Sequence, residues 1–202
     1  MFGAFLEGAI GFGGPVAITA ALLAGLGLRP IYVAGLCMIA NTAPVAFGAV
    51  GIPIIAMAGA VGVDSLKISQ MVGHMLPPLT IFVPFFLMFL MDGFKGVKET
   101  FPAILVAALS FAITQFITAV YVGPELPDIT SAIVSLACTT VFLRFWQPKN
   151  IFTFDGVTPE VSSKKYSFKE IVYAWSPFLV LIVTIVLWTQ GWFKALFTGD
   201  GH

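Results

Sequence analysis

Nine residues near the amino terminus, Glu7-Gly8-Ala9-Ile10-Gly11-Phe12-Gly13-Gly14-Pro15, set one carboxylate, four glycines and a proline inside apolar sequence. The glycines permit φ > 0 and let another group approach the main chain. Pro15 suits a first helical turn, where a missing N–H costs nothing. The stretch reads as the tip of a broken or re-entrant helix whose amino terminus faces a cavity. A plain interhelical loop is the alternative. A helix amino terminus offers unpaired N–H groups and partial positive charge, which suit a small anion. The main-chain N–H groups of Gly11, Phe12, Gly13 and Gly14 are therefore candidate donors.

A second break, Asn41-Thr42-Ala43-Pro44, interrupts residues 31–63, a stretch without a single charge. Asn and Thr are good N-caps and Pro favours the first turn, so a helix start is expected near Pro44. N–H groups around residues 42–45 join the candidate donors. The side chains of Asn41 and Thr42 either bond a substrate hydroxyl or cap the helix. Two helix starts meeting within the bilayer could hold a carboxylate without a buried cation, the pattern of a transporter site. Phe12 and Phe47 either wall that pocket or pack as ordinary aromatics. Glu7 is ionisable within membrane sequence, which makes it a candidate proton carrier. Its alternative role is to cap the hairpin by accepting main-chain N–H bonds.

The elements that must hold these residues are membrane helices. The chain has 202 residues, 58% hydrophobic and 10% charged, with mean hydropathy +0.99. Soluble domains carry about 25% charged residues, so the chain reads as integral to a membrane. Ten basic residues balance ten acidic ones, which leaves no basic field for nucleic acid. Cys37 and Cys138 lie far apart without ligand spacing and read as small buried side chains. The two distant histidines, His74 and His202, and the lack of paired carboxylates within the spans argue against an enzyme. No metal and no cofactor is implied, and His74 reads as a solvated loop residue.

In chain order, residues 1–28 form a re-entrant hairpin, with 1–6 the stub of the incoming arm and 15–28 too short to span. No positively charged signal region precedes them. Residues 31–63 form a discontinuous transmembrane helix, and 63–74 a short interfacial helix or loop. Further transmembrane helices are expected over 75–91, 101–122, 129–146 and 171–193. A polar turn (92–100), an acidic turn (123–128) and a long cytoplasmic loop (147–170) join them. The fold class is thus all-α integral membrane: a re-entrant hairpin arm, one discontinuous helix and about four further spans. Placing the long loop in the cytoplasm puts eight of the ten basic residues on one face, Arg29, Lys95, Lys98 and Arg144 among them, as positive-inside topology requires.

The strings Glu7-Gly8-Ala9-Ile10-Gly11-Phe12-Gly13, Pro15-Val16-Ala17-Ile18, Ile39-Ala40-Asn41-Thr42-Ala43-Pro44-Val45-Ala46-Phe47-Gly48 and Gly51-Ile52-Pro53-Ile54 closely resemble the L-lactate permease family. The resemblance implies a multi-pass secondary transporter of the plasma membrane. It implies L-lactate and related 2-hydroxy monocarboxylates, such as glycolate, as substrates moved with a proton. It makes the bilayer and the remainder of a longer transporter the partners, because family members exceed twice this length. The chain then resembles one half of an inverted-repeat transporter and is expected to be inactive alone. Gly14 departs from the pattern, where a residue such as Thr is expected, and this removes a side-chain hydrogen bond to substrate. A permease for another organic anion and a non-transporting accessory subunit are the rival readings.

Overall fold

Apolar sequence in lipid must satisfy its own main chain, and helix is the usual solution. In the computed structural model, every element among the described residues is helical. Those residues are 1–148 except Phe12 and Leu26, with isolated positions 167, 169, 170, 172, 173, 176, 180, 183, 184 and 187 beyond them. The expected loop over 147–170 and the last span over 171–193 therefore fall largely outside the described residues. The chain divides into two units, Met1–Pro159 and Glu160–His202. In the second, Ser176 donates to the Tyr173 carbonyl (2.7 Å) and Thr184 to that of Val180 (2.8 Å), both at helical spacing. The rest of the description concerns the first unit.

The amino-terminal hairpin consists of α1 (Phe2–Ala9) and α2 (Gly14–Gly25), which pack on each other and, through α2, on α3 (Pro30–Ala40). Gly3 faces Thr19 at that contact, where a Cβ would meet Thr19 Oγ1 at an ordinary van der Waals distance of 3.5 Å. Pro30 opens α3 at its first turn, after an extended Arg29. A 3-10 turn (Val45–Phe47) then leads into α4 (Gly48–Val61), which is bent by 70° from α3. The discontinuous helix expected over 31–63 is thus present as a bent pair.

Helix α5 (Ser65–Tyr121) begins ten residues before the expected span at 75. The polar stretch over 63–74 is its first turns rather than a separate interfacial segment. Asp64 explains the start: its carboxylate accepts from the N–H groups of Leu66 (2.9 Å) and Lys67 (3.3 Å), an N-cap that holds the first turn together. A straight helix of 57 residues would reach roughly 85 Å at 1.5 Å per residue, far beyond a hydrocarbon core of about 30 Å. The helix breaks at Asp92 (φ −139°, ψ 17°) and Gly93 (φ 62°, ψ −157°), and its two arms fold back side by side. Ser69 donates to the Ala119 carbonyl (2.7 Å) and Gln70 to that of Val120 (3.0 Å). Phe85 meets Phe101 and Phe89 meets Phe94 nearer the break. The expected turn over 92–100 is therefore a two-residue kink.

Helix α6 (Pro127–Phe145) runs back along the second arm, with Ser135 donating to the Ala107 carbonyl (2.8 Å) and the Thr118 and Thr130 hydroxyls bonded (3.0 Å). Tyr32 at the start of α3 donates to the Leu90 carbonyl (2.7 Å), beside the α5 break. At the far end of the hairpin, Phe47, Ile54 and Ala58 pack with Ile68 and Ala119. The bent pair thus runs the length of the helical hairpin.

Burial is inverted relative to a water-soluble protein. Ser69, Thr80, Gln115, Thr118, Asp128, Ser131 and Ser135 are buried, while Leu22, Met38, Phe82, Ile113 and Val141 stand exposed. Buried polar side chains bonded to main-chain carbonyls or to one another beneath an apolar exterior are what a lipid solvent selects. Among the described residues, two helices, Ser65–Tyr121 and Pro127–Phe145, are long and apolar enough to cross a membrane; with the bent pair counted as one span there are three. The chain is an all-α membrane protein segment.

Candidate functional site

The glycine tip lands on the broken span. Gly11 has φ +64°, and a Cβ there would lie 2.5 Å from Ala49 Cβ and 2.9 Å from Ala49 N. Only glycine combines that backbone with so close an approach. Opposite it, Ala49 (φ 48°), Val50 (φ 57°) and Gly51 (φ 74°) form three successive left-handed residues. Left-handed backbone at Ala and β-branched Val is strained, and such strain gathers at functional positions. Gly51 in turn rests against the Pro124 carbonyl in the α5–α6 connection. Two irregular backbones therefore meet, and the partner of the tip is 49–51 rather than the expected break at 41–44.

The expected helix start near Pro44 is a 3-10 turn. Thr42 closes α3 instead of opening the next helix: its hydroxyl (2.7 Å) and N–H (3.2 Å) both donate to the Ile39 carbonyl. That side chain caps a helix carboxyl end and is exposed. Ala43 and Pro44 are buried. Asn41 is half-buried and lines a cavity of about 360 Å³ between α1, α2 and the end of α3, with Phe2, Ala4, Thr19 and Cys37 among the other walls. The volume falls in the range of small-molecule pockets. Gly14 begins α2, and its N–H is spent on the Gly11 carbonyl (3.2 Å). Gly13 (φ +80°) is exposed, with open space where a Cβ would stand. Phe12 lies outside the described residues. Of the candidates, Gly11 thus lies at the contact with Ala49 and Asn41 in the cavity wall, whereas Gly13, Ala43 and Val45 line no part of that cavity.

Glu7 is 3% exposed, on the last turn of α1. Its Oε1 occupies the space a Cβ would need at Gly48, 2.6 Å away, so Gly48 is what admits the carboxylate. Its Oε2 is buried without a hydrogen-bond partner. The neighbouring Gly8 lets α1 touch α6: a Cβ there would lie 2.9 Å from Asp128 Cβ and 3.1 Å from Ile129 N.

Asp128 reads in the sequence as part of an acidic turn between spans, yet it is 1% exposed. Thr80 donates to Gln115 Oε1 (3.0 Å), and Gln115 Nε2 donates to Asp128 Oδ1 (3.0 Å). Asp128 Oδ2 is buried and unpartnered. Glu7 on α1 and Asp128 on α6 are thus both buried, each with one oxygen that lacks a hydrogen-bond partner. Two signals point there: Pro127 marks a helix start just before Asp128, and Gln115 is a polar residue within an apolar span. No group of three or more His, Cys, Asp or Glu side chains converges among the described residues. Cys37 and Cys138 are free thiols, and Cys138 is exposed rather than buried, a position that an apolar helix surface tolerates.

The sequence profile described as L-lactate permease matches residues 1–202. The chain belongs to the L-lactate permease family. An L-lactate permease of Salmonella typhimurium is 57% identical over 205 residues, covering 99% of this chain and 37% of that protein. The glycolate permease GlcA of Escherichia coli K12 is 53% identical, covering 99% of this chain and 38% of its own length. An L-lactate permease of Bacillus subtilis is 50% identical, covering 98% and 37%. The chain thus spans little more than a third of these family members. No solved structure matches it.

Proposed function

We propose that the chain is part of a secondary transporter that carries L-lactate and related 2-hydroxy monocarboxylates, glycolate included, across the plasma membrane with a proton. The observation that carries this reading is the packing of the glycine tip onto the left-handed break at Ala49–Gly51, with the unpartnered Glu7 carboxylate beside it. In an inverted-repeat transporter each half contributes such a broken helix, and substrate binds where they meet. Main-chain N–H groups of Gly11, Gly13, Ala43 and Val45 serve as carboxylate donors. Asn41, in the wall of the cavity between α1, α2 and the end of α3, bonds the 2-hydroxyl. Glu7 takes the proton, and no metal or organic cofactor takes part. Membership of a family whose relatives are named for lactate and glycolate transport supports the substrate class.

The test is uptake into liposomes by a full-length family protein carrying this segment, under an imposed proton gradient. A panel of 2-hydroxy monocarboxylates, simple monocarboxylates and dicarboxylates separates the readings. Saturable uptake of lactate and glycolate, abolished by a protonophore, is expected. Preference for a dicarboxylate points to another organic anion, and no uptake of any of them to an accessory subunit.

A further inference from the structure

We propose that Glu7 and Asp128 form a single proton-holding pair, in which one proton lies between Glu7 Oε2 and Asp128 Oδ2. The proposal deepens the proton-coupled reading above and rests on it for its role in transport. Both side chains are more than nine-tenths buried, and each keeps one oxygen without any hydrogen-bond partner. The other Asp128 oxygen is taken by Gln115, itself fixed by Thr80, so the orphan oxygen is held in one orientation. Glycines at both contacts, Gly8 against Asp128 and Gly48 against Glu7, bring the carboxylates in from α1 and α6.

The surroundings offer no counter-charge. Of the elements packed on α1, α2, the 3-10 turn and α4 contain no titratable side chain, and α6 carries Asp128 itself with Cys138 and Arg144 at least ten residues further along the helix. From α5, neutral Gln115 meets Asp128, and the charged group that acts on Asp128 is Glu7. Two carboxylates removed from water side by side cannot both remain ionised without a cation. One bound proton gives the pair a single negative charge and supplies both orphan oxygens with a partner; no other bond changes. An anion arriving at the neighbouring tip adds negative charge and favours the protonated pair, which links substrate to proton.

Infrared spectroscopy of the 202-residue chain in liposomes at neutral pH, without substrate, tests this directly. The expected result is a protonated-carboxyl C=O band that shifts in D₂O and is lost in both Glu7→Gln and Asp128→Asn. A band retained in either variant places the proton on one residue and overturns the pair. Absence of the band in the unsubstituted chain overturns it as well, and needs no variant to fold; circular dichroism establishes that the variants do. Because substrate is absent, failure here leaves the transport reading to the flux assay. Failure of lactate flux, conversely, leaves the band standing.

Discussion

Gly11 and Gly13 share a left-handed backbone but differ in what surrounds them. A methyl group at Gly11 would collide with Ala49, whereas one at Gly13 would meet open space. Gly11→Ala is therefore expected to destabilise the chain by about 1–3 kcal/mol, the usual cost of overpacking, read as a lower melting temperature in detergent. Gly13→Val costs only the left-handed strain, roughly 1–2 kcal/mol, and is expected to abolish lactate binding by blocking the main chain. Asn41→Ala should weaken binding by about 1–2 kcal/mol, one hydrogen bond to a buried group. Unchanged binding in both Gly13→Val and Asn41→Ala would sink the proposed site. Glu7→Gln, in a full-length family context, is expected to keep lactate exchange and lose accumulation against a gradient. Accumulation that survived would assign Glu7 to structure alone.

At the scale of elements, side-chain bonds fix which ends lie together. Tyr32 ties the start of α3, next to Arg29, to the carbonyl of Leu90 near the Asp92–Gly93 break. Ser69 and Gln70 tie the opposite end of the α5 hairpin. Arg29, Lys95 and Lys98 thus share one end and Asp64 and Lys67 the other, the same division that positive-inside topology asks for. Lys67 and Lys95 are both exposed, so each can report its side. With Cys37 and Cys138 replaced, Lys67→Cys is expected to react with an impermeant thiol reagent in intact cells, and Lys95→Cys only after lysis. The reverse pattern would invert the orientation and the hairpin with it.

The described residues present one glycine tip and one broken pair, while the relatives are nearly three times as long by the 37% coverage. A site built between two halves needs a broken helix from each. Two like copies in one orientation cannot supply the inverted partner. The purified 202-residue chain in liposomes with an imposed proton gradient is therefore expected to show no saturable lactate uptake. Robust uptake would refute this, and uptake restored only by adding the rest of a family protein would support it.

What the sequence by itself determined was the solvent, the breaks and one of the two carboxylates. Composition settles lipid against water, and Gly, Pro, Asn and Thr act on φ, ψ and capping within a few residues. The hairpin tip at Gly11–Gly14, the interruption after Ala40 and the buried Glu7 were therefore legible. So was the family, because the motif strings are long and unusual. Only the tertiary structure decided which groups meet. Asn41 and Thr42 read as caps for a helix ahead of them, but Thr42 turns back onto α3, and the strained backbone lies at Ala49–Gly51. Asp128 reads as a turn residue because its neighbours Glu125 and Pro127 mark a turn. Its burial comes from Gln115, thirteen positions away, and from Gly8, which lies about 120 residues earlier in the numbering. Local preference carries no information about contacts at such separations; they are set by which helix faces can pack closely, and here small glycines on α1 and α4 make that choice.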